Sequence, residues 1–147
     1  MAWYTLTYAC GHTEQKQLYG KTSERERIIN SAQSYDCPAC RLAAAKAIEA
    51  DIGLPPLTGS DKQIAWAAGI RAKAQSSLVA FESELDARWD SLDDKQKAAS
   101  AQSLAAMMDA IRTIRRQTQA GWWIDHKNFG ARDMVGMICR GQDLDCR

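Results

Sequence analysis

Along the middle of this chain apolar residues recur in steps of three and four, at Ala67, Ile70, Ala74, Leu78, Phe81, Leu85, Trp89 and Leu92. That spacing places them on one face of a long α-helix. Ser60 and Gln63 form a capping box that predicts where it starts. The periodicity lapses over residues 91–94 and resumes with Ala101, Leu104, Met108, Ile111 and Ile114, predicting a second long helix to about Thr118. Two such helices joined by a short turn should pack antiparallel as a helical hairpin. Beyond Gly121, Trp122-Trp123-Ile124 and then Phe129, Met134, Val135, Met137 and Ile138 predict one or two short helices capping the hairpin's open end.

The first third of the chain has a different texture. Residues 3–8 are aromatic and β-branched, Gly11 offers a turn, and residues 13–19 return as a second strand, so a β-hairpin should carry Cys10 and His12 at its tip. Gly20 closes it. Thr22 or Ser23 as N-cap, with Glu26, predicts a short helix over residues 25–32, and the Ala-rich residues 41–52 predict another, ended by Gly53. Leu54-Pro55-Pro56-Leu57-Thr58-Gly59 cannot continue a helix. The expected organisation is a zinc-binding hairpin/helix module at 1–53, a linker at 54–59, and a helical hairpin domain with a C-terminal cap at 60–147. The fold class is mainly α with a small N-terminal β-hairpin, the first unit being zinc-ribbon or treble-clef-like.

Composition fits a folded globular chain: 46% of the 147 residues are hydrophobic and 25% charged. Nineteen Lys and Arg against 18 Asp and Glu give a net charge of +1, which excludes a bulk electrostatic pull towards nucleic acid or anionic membrane. The start, Met1-Ala2-Trp3-Tyr4, lacks the basic and apolar regions of a secretory signal, and no stretch is long enough to cross a bilayer. A cytoplasmic setting is expected, where cysteines serve as metal ligands or core packing more often than disulfides.

Structural zinc takes four thiolate or imidazole ligands, and a Cys-x-His or Cys-x-x-Cys pair lets one tight turn supply two of them. Cys10-Gly11-His12 and Cys37-Pro38-Ala39-Cys40 provide one pair of each kind, separated by twenty-four residues in which the chain can leave the metal and return. Cys40 falls at a predicted helix start, where the dipole favours a thiolate. Four protein ligands leave no position for a reactive water, so zinc is expected to be structural and no catalytic residue is assigned. Cys139 and Cys146 match no common knuckle; a second metal site with His126 or a mutual bridge are alternatives to the expected packed thiol at Cys139 and mobile one at Cys146.

Two features invite partner contact. Glu82, Glu84, Asp86, Asp90, Asp93 and Asp94 gather at the predicted hairpin tip, while Arg112, Arg115 and Arg116, with Arg71 and Lys73, make the other end basic. These are either solvated helix ends or, for the acidic tip, a docking surface for a basic, nucleic-acid-handling protein. Trp122 and Trp123 are adjacent, so one can fill the core while the other lies against the zinc module or makes a partner contact. Lys16, Lys21, Arg25, Arg27 and Arg41 could form a phosphate-binding patch on the zinc module, weakened by the interleaved Glu14, Glu24 and Glu26.

Tyr8-x-Cys10-Gly11-His12, Cys37-Pro38-x-Cys40, the run Leu57-Thr58-Gly59-Ser60-x-Lys62-Gln63-Ile64-Ala65-Trp66-Ala67 and Trp122-Trp123-Ile124-Asp125 resemble a set of small, mostly uncharacterised bacterial, plasmid and phage proteins. The resemblance spans both halves. It implies a zinc-knuckle start, a helical remainder and a mobile-element setting, in which small non-enzymatic proteins often counter host defence. The expectation is therefore a non-catalytic inhibitor that binds a host protein or ribonucleoprotein complex, most specifically an anti-CRISPR acting on an RNA-guided surveillance complex by occlusion or subunit competition. The alternative is a zinc-dependent nucleic-acid-binding or regulatory accessory protein, and an enzyme ranks last.

Overall fold

The computed structural model describes residues 2–141. Strands β1 (Ala2–Thr7) and β2 (Thr13–Leu18) form an antiparallel hairpin in which Ala2 pairs with Leu18 and Thr7 with Thr13. Six helices follow among the described residues: α1 (Thr22–Ala32), α2 (Pro38–Asp51), α3 (Asp61–Asp90), α4 (Asp94–Arg115), α5 (Ala120–Asp125) and α6 (Ala131–Gly141). None is long and apolar enough to cross a membrane. This is the mainly helical architecture with an N-terminal β-hairpin that the residue pattern predicts.

Local chemistry explains most boundaries. Ser60 accepts from the Gln63 N–H and Gln63 reaches back to the Ser60 N–H, so α3 starts at the predicted box. Asp93 and Gln96 repeat the device and start α4 seven residues before its first regularly spaced apolar residue, Ala101. The cap of α1 differs from expectation: Lys21 is the N-cap and Glu24, not Glu26, closes back on its N–H. Helix α2 begins at Pro38 because Cys37 caps it and proline suits the first helical turn.

Two cores result. The smaller joins Tyr4, Leu6, Tyr8 and Leu18 of the hairpin to Ile28, Ile29 and Ala32 of α1, with Cys10, Cys37 and Cys40 at its edge. The larger lies among α2 to α6 and centres on Trp123, Leu78, Ile111, Ile114 and Met134. Ala45 brings α2 into the larger core while the N-terminus of α2 borders the smaller one.

The segment between α2 and α3 is held along its length. Leu57 is buried and its N–H donates to Glu49; the Thr58 N–H donates to the Thr118 carbonyl at 2.8 Å, and the Ala120 N–H to the Thr58 carbonyl at 2.9 Å. Gly59 follows at φ +148°, where a Cβ would press on Ala120 and Gln63 at 3.2 Å.

Behind this strap lies Arg71. Expected on a basic surface, it is instead fully buried, because it sits one turn along from Ala67 on the core-facing side of α3. Its guanidinium donates to the carbonyls of Pro55 (2.6 Å) and Arg115 (3.3 Å), lies 3.9 Å from Glu49 and rests 5.9 Å from the centre of the Trp123 ring. Burial pulls its pKa down while the Glu49 carboxylate opposes that shift. One cation thus ties α2, the strap, α3, the end of α4 and α5.

Cys139 is buried against Ala106 and is disulfide-bonded, so the expected packed free thiol is not what forms. The expectation for Cys146 lies outside the described residues.

Removing a buried partner strands the groups it satisfied. Arg71→Ala should therefore lower unfolding stability by about 3 to 5 kcal/mol, and Glu49→Gln, which keeps an oxygen for the Leu57 N–H, by less, measured by urea denaturation.

Candidate metal centre

Tyr8 sets up the first knuckle. Its backbone N–H donates to the His12 carbonyl at 3.0 Å, and the Gly11 N–H donates to the Tyr8 carbonyl at 2.9 Å, closing a tight turn. Gly11 takes φ +81°, a left-handed conformation that lets the chain reverse between the two donors. The Tyr8 side chain points into the small core and donates to Glu14 across the hairpin, which pushes the phenol's pKa up to about 12. Its ring meets Tyr35 at 5.9 Å, and the Ala9 N–H donates to the Tyr35 carbonyl, so the first knuckle is fastened to the segment leading into the second.

The second knuckle is the start of α2. The Cys40 N–H points at the Cys37 sulfur (3.4 Å) and the Cys37 N–H at the Cys10 sulfur (3.3 Å). Such N–H···S contacts stabilise negative charge on sulfur. His12 Nδ1 lies 3.7 Å from the Cys37 sulfur and 3.3 Å from that of Cys40. All four donor atoms fall within 4.8 Å of one another, and none of the three cysteines is in a disulfide. The hairpin and the helix thus bring together the four residues that their spacing singled out, close enough to hold a metal ion.

The thiols are unequal. The Cys37 backbone N–H, and then that of His12, holds the Cys10 thiol down at about 6. Hydrogen bonding with the Cys37 side chain, aided by desolvation, pushes Cys40 up to about 11. The Cys10 thiolate therefore forms readily while Cys40 resists a second negative charge, the imbalance that a bound cation relieves.

The other residues singled out from the sequence are dispersed. Glu82 forms a two-pronged ion pair with Arg115, and Glu84 pairs with Arg132. Asp93 caps α4, while Asp86, Asp90 and Asp94 lie exposed near the turn. At the opposite end Arg112 pairs with Asp109, so that end too is largely self-matched. Trp123 fills the core, 1% exposed, and donates its indole N–H to the Gln117 carbonyl. Trp122 is half-buried, stacked on His126 at 4.3 Å. On the small module, Arg25 lies over the Tyr4 ring and Glu24 is occupied by its cap, leaving Lys16, Lys21, Arg27 and Arg41 exposed.

One residue not expected at a site stands out: Trp66, 55% exposed on α3. Its signal is present in the sequence, since it stands beside Ala67 and off the apolar stripe, where a large aromatic has no core to fill.

Comparison with known proteins found no matching family model, no similar curated protein and no similar solved structure.

The unequal thiols give a measurable pH signature. In metal-free protein, alkylation of Cys10 by iodoacetamide should rise through about pH 6, while Cys40 stays a thiol until about pH 11, as read by peptide mass spectrometry against pH. A folded-state pKa below the unfolded one means that the Cys10 contribution to stability is complete above pH 9 and lost as pH falls towards 6. The raised Cys40 value has the opposite sign: its contribution is complete below pH 9 and lost as pH rises towards 11.

Proposed function

We propose that this chain is a zinc-stabilised, non-catalytic binding protein that presents a rigid helical surface to a host protein or ribonucleoprotein complex. The observation that carries the reading is the closed donor set, three sulfurs and one imidazole nitrogen within 4.8 Å. Soft thiolate-rich ligands favour zinc, and a tetrahedron with Zn–S near 2.3 Å and Zn–N near 2.0 Å has edges of about 3.5 to 3.8 Å, close to the two His12–sulfur separations. The smaller core is slight for an independently stable unit, which is where a structural metal contributes folding free energy directly.

A binding role also suits the rest of the molecule. His126, the other histidine, is packed between Trp122 and Phe129 with Nδ1 2.7 Å from the Trp122 carbonyl. The sequence likeness directs the partner search first to RNA-guided surveillance complexes. Asp86, Asp90 and Asp94 at the α3–α4 turn are the acidic groups free to meet a basic partner surface.

Two measurements test this. Elemental analysis should give one zinc per chain, and chelation should strip hydrogen-exchange protection from β1, β2 and α1 while α3 and α4 keep theirs. Zinc-free protein with unchanged exchange would overturn the metal assignment. Size-exclusion chromatography with purified surveillance complexes should give co-elution that weakens at least threefold in affinity for an Asp86→Asn/Asp90→Asn/Asp94→Asn variant. Failure to co-elute would remove that partner.

A further inference from the structure

Trp66 is a ridge between two clefts. On one side a cleft of about 680 Å³ runs between α3 and the α5–α6 connection, with Lys73, Lys127, His126 and Phe129 in its wall. On the other a cleft of about 540 Å³ lies where α3 meets the start of α2, walled by Arg41, Lys62 and Asp61. Four cations and one carboxylate line the pair, in a chain whose overall charge is +1. Among the described residues no carboxylate lies within ion-pair distance of these four cations.

Aromatic and cationic groups alternate along this face. Tyr35 is 40% exposed with the Arg41 guanidinium 5.4 Å above its ring; Trp66 is 55% exposed with the Lys127 ammonium 5.8 Å from its ring centre; Phe129 is 43% exposed. Exposed rings cost solvation; Tyr35 reaches the smaller core through Tyr8, while Trp66 and Phe129 belong to neither core cluster. Placed beside cations, they offer stacking surfaces next to anion sites.

We propose that the Tyr35–Trp66–Phe129 face binds a single strand of nucleic acid, bases stacking on the exposed rings and phosphates meeting Arg41, Lys62, Lys73 and Lys127. Single strands suit this arrangement because every base has a face to stack and every linkage a charge, whatever the sequence. A duplex keeps its base faces stacked internally, so the rings would have nothing to receive. An acidic polypeptide would use the cations and leave the rings idle. The site goes beyond the protein-docking reading and lies on a different part of the molecule from the acidic α3–α4 turn.

Fluorescence anisotropy with labelled twelve-nucleotide oligo(U) and oligo(dT), titrated over salt, tests it. Native protein should bind at least one of the two, with affinity falling steeply as salt rises; comparison of the two separates RNA from DNA as the source of the strand. Trp66→Ala should weaken binding about tenfold and Trp66→Phe should restore most of it, since a ring is what stacks. Lys73→Ala/Lys127→Ala should reduce the slope of log affinity against log salt by about 1.4, some 0.7 for each phosphate left without its lysine. All these positions are exposed, and circular dichroism of the variants should match the native protein. Binding of neither oligomer at low salt, Trp66→Ala binding as well as native, or equal competition by poly-glutamate of the same length would each overturn the proposal, the last assigning the face to acidic protein. Zinc content is read independently, so failure here leaves the metal assignment standing.

Discussion

The N-terminal part of the molecule is organised around three sulfurs and an imidazole nitrogen that lie close enough together to hold a metal ion, at the edge of the smaller core. A two-stranded hairpin is marginal in water, and α1 covers only one of its faces. The four donors join the hairpin tip to the start of α2, so a metal ion held between them would tie hairpin to helix. The N–H···S contacts are directed at the same sulfurs, which means that backbone geometry and ligand geometry are satisfied by one conformation.

Helix α2 carries that order into the rest of the chain. It starts as a knuckle and ends as a wall of the larger core, where Glu49 receives the Leu57 N–H and faces Arg71. A buried arginine is a costly way to fill space, and its desolvation is offset only if several acceptors converge on it. Here the carbonyls that converge come from the strap and from the end of α4, groups whose own hydrogen bonds would otherwise be incomplete. The strap's prolines prevent it from becoming helix, and the Pro55 carbonyl becomes one acceptor for the cation.

How legible this was in the sequence follows from which interactions are local. The two Cys/His pairs, the Ser60–Gln63 cap and the long apolar stripe are set by residues a few positions apart, and spacing alone displays them. Arg71 is buried against expectation, because a charged residue in a helix gives no local sign of the distant carbonyls that will receive it. The acidic cluster looked uniform in sequence, yet Glu82 and Glu84 are drawn to Arg115 and Arg132, far along the chain. Trp122 and Trp123 diverge as expected, since neighbours on a helix face different ways; which of them entered the core depended on where α5 docks. Cys139 carried no knuckle spacing, and its burial beneath α4 is a tertiary result.

A net charge near zero hides an uneven distribution of charges that are already matched. Glu14, Glu24, Glu49, Glu82, Glu84 and Asp93 each hold an internal partner, whether a phenol, a cap or a guanidinium. Several arginines are engaged the same way. What remains for solvent and partners is therefore sorted by position and not by total: Asp86, Asp90 and Asp94 near the α3–α4 turn with Arg88 and Lys95 among them, cations on the small module, and lysines around Trp66. Since screening limits exposed charges to roughly a Debye length of ~8 Å at physiological salt, each patch is felt by a partner as a local field of its own sign. A composition without a bulk electrostatic pull is thus compatible with local charged surfaces, of which the lysines around Trp66 are one.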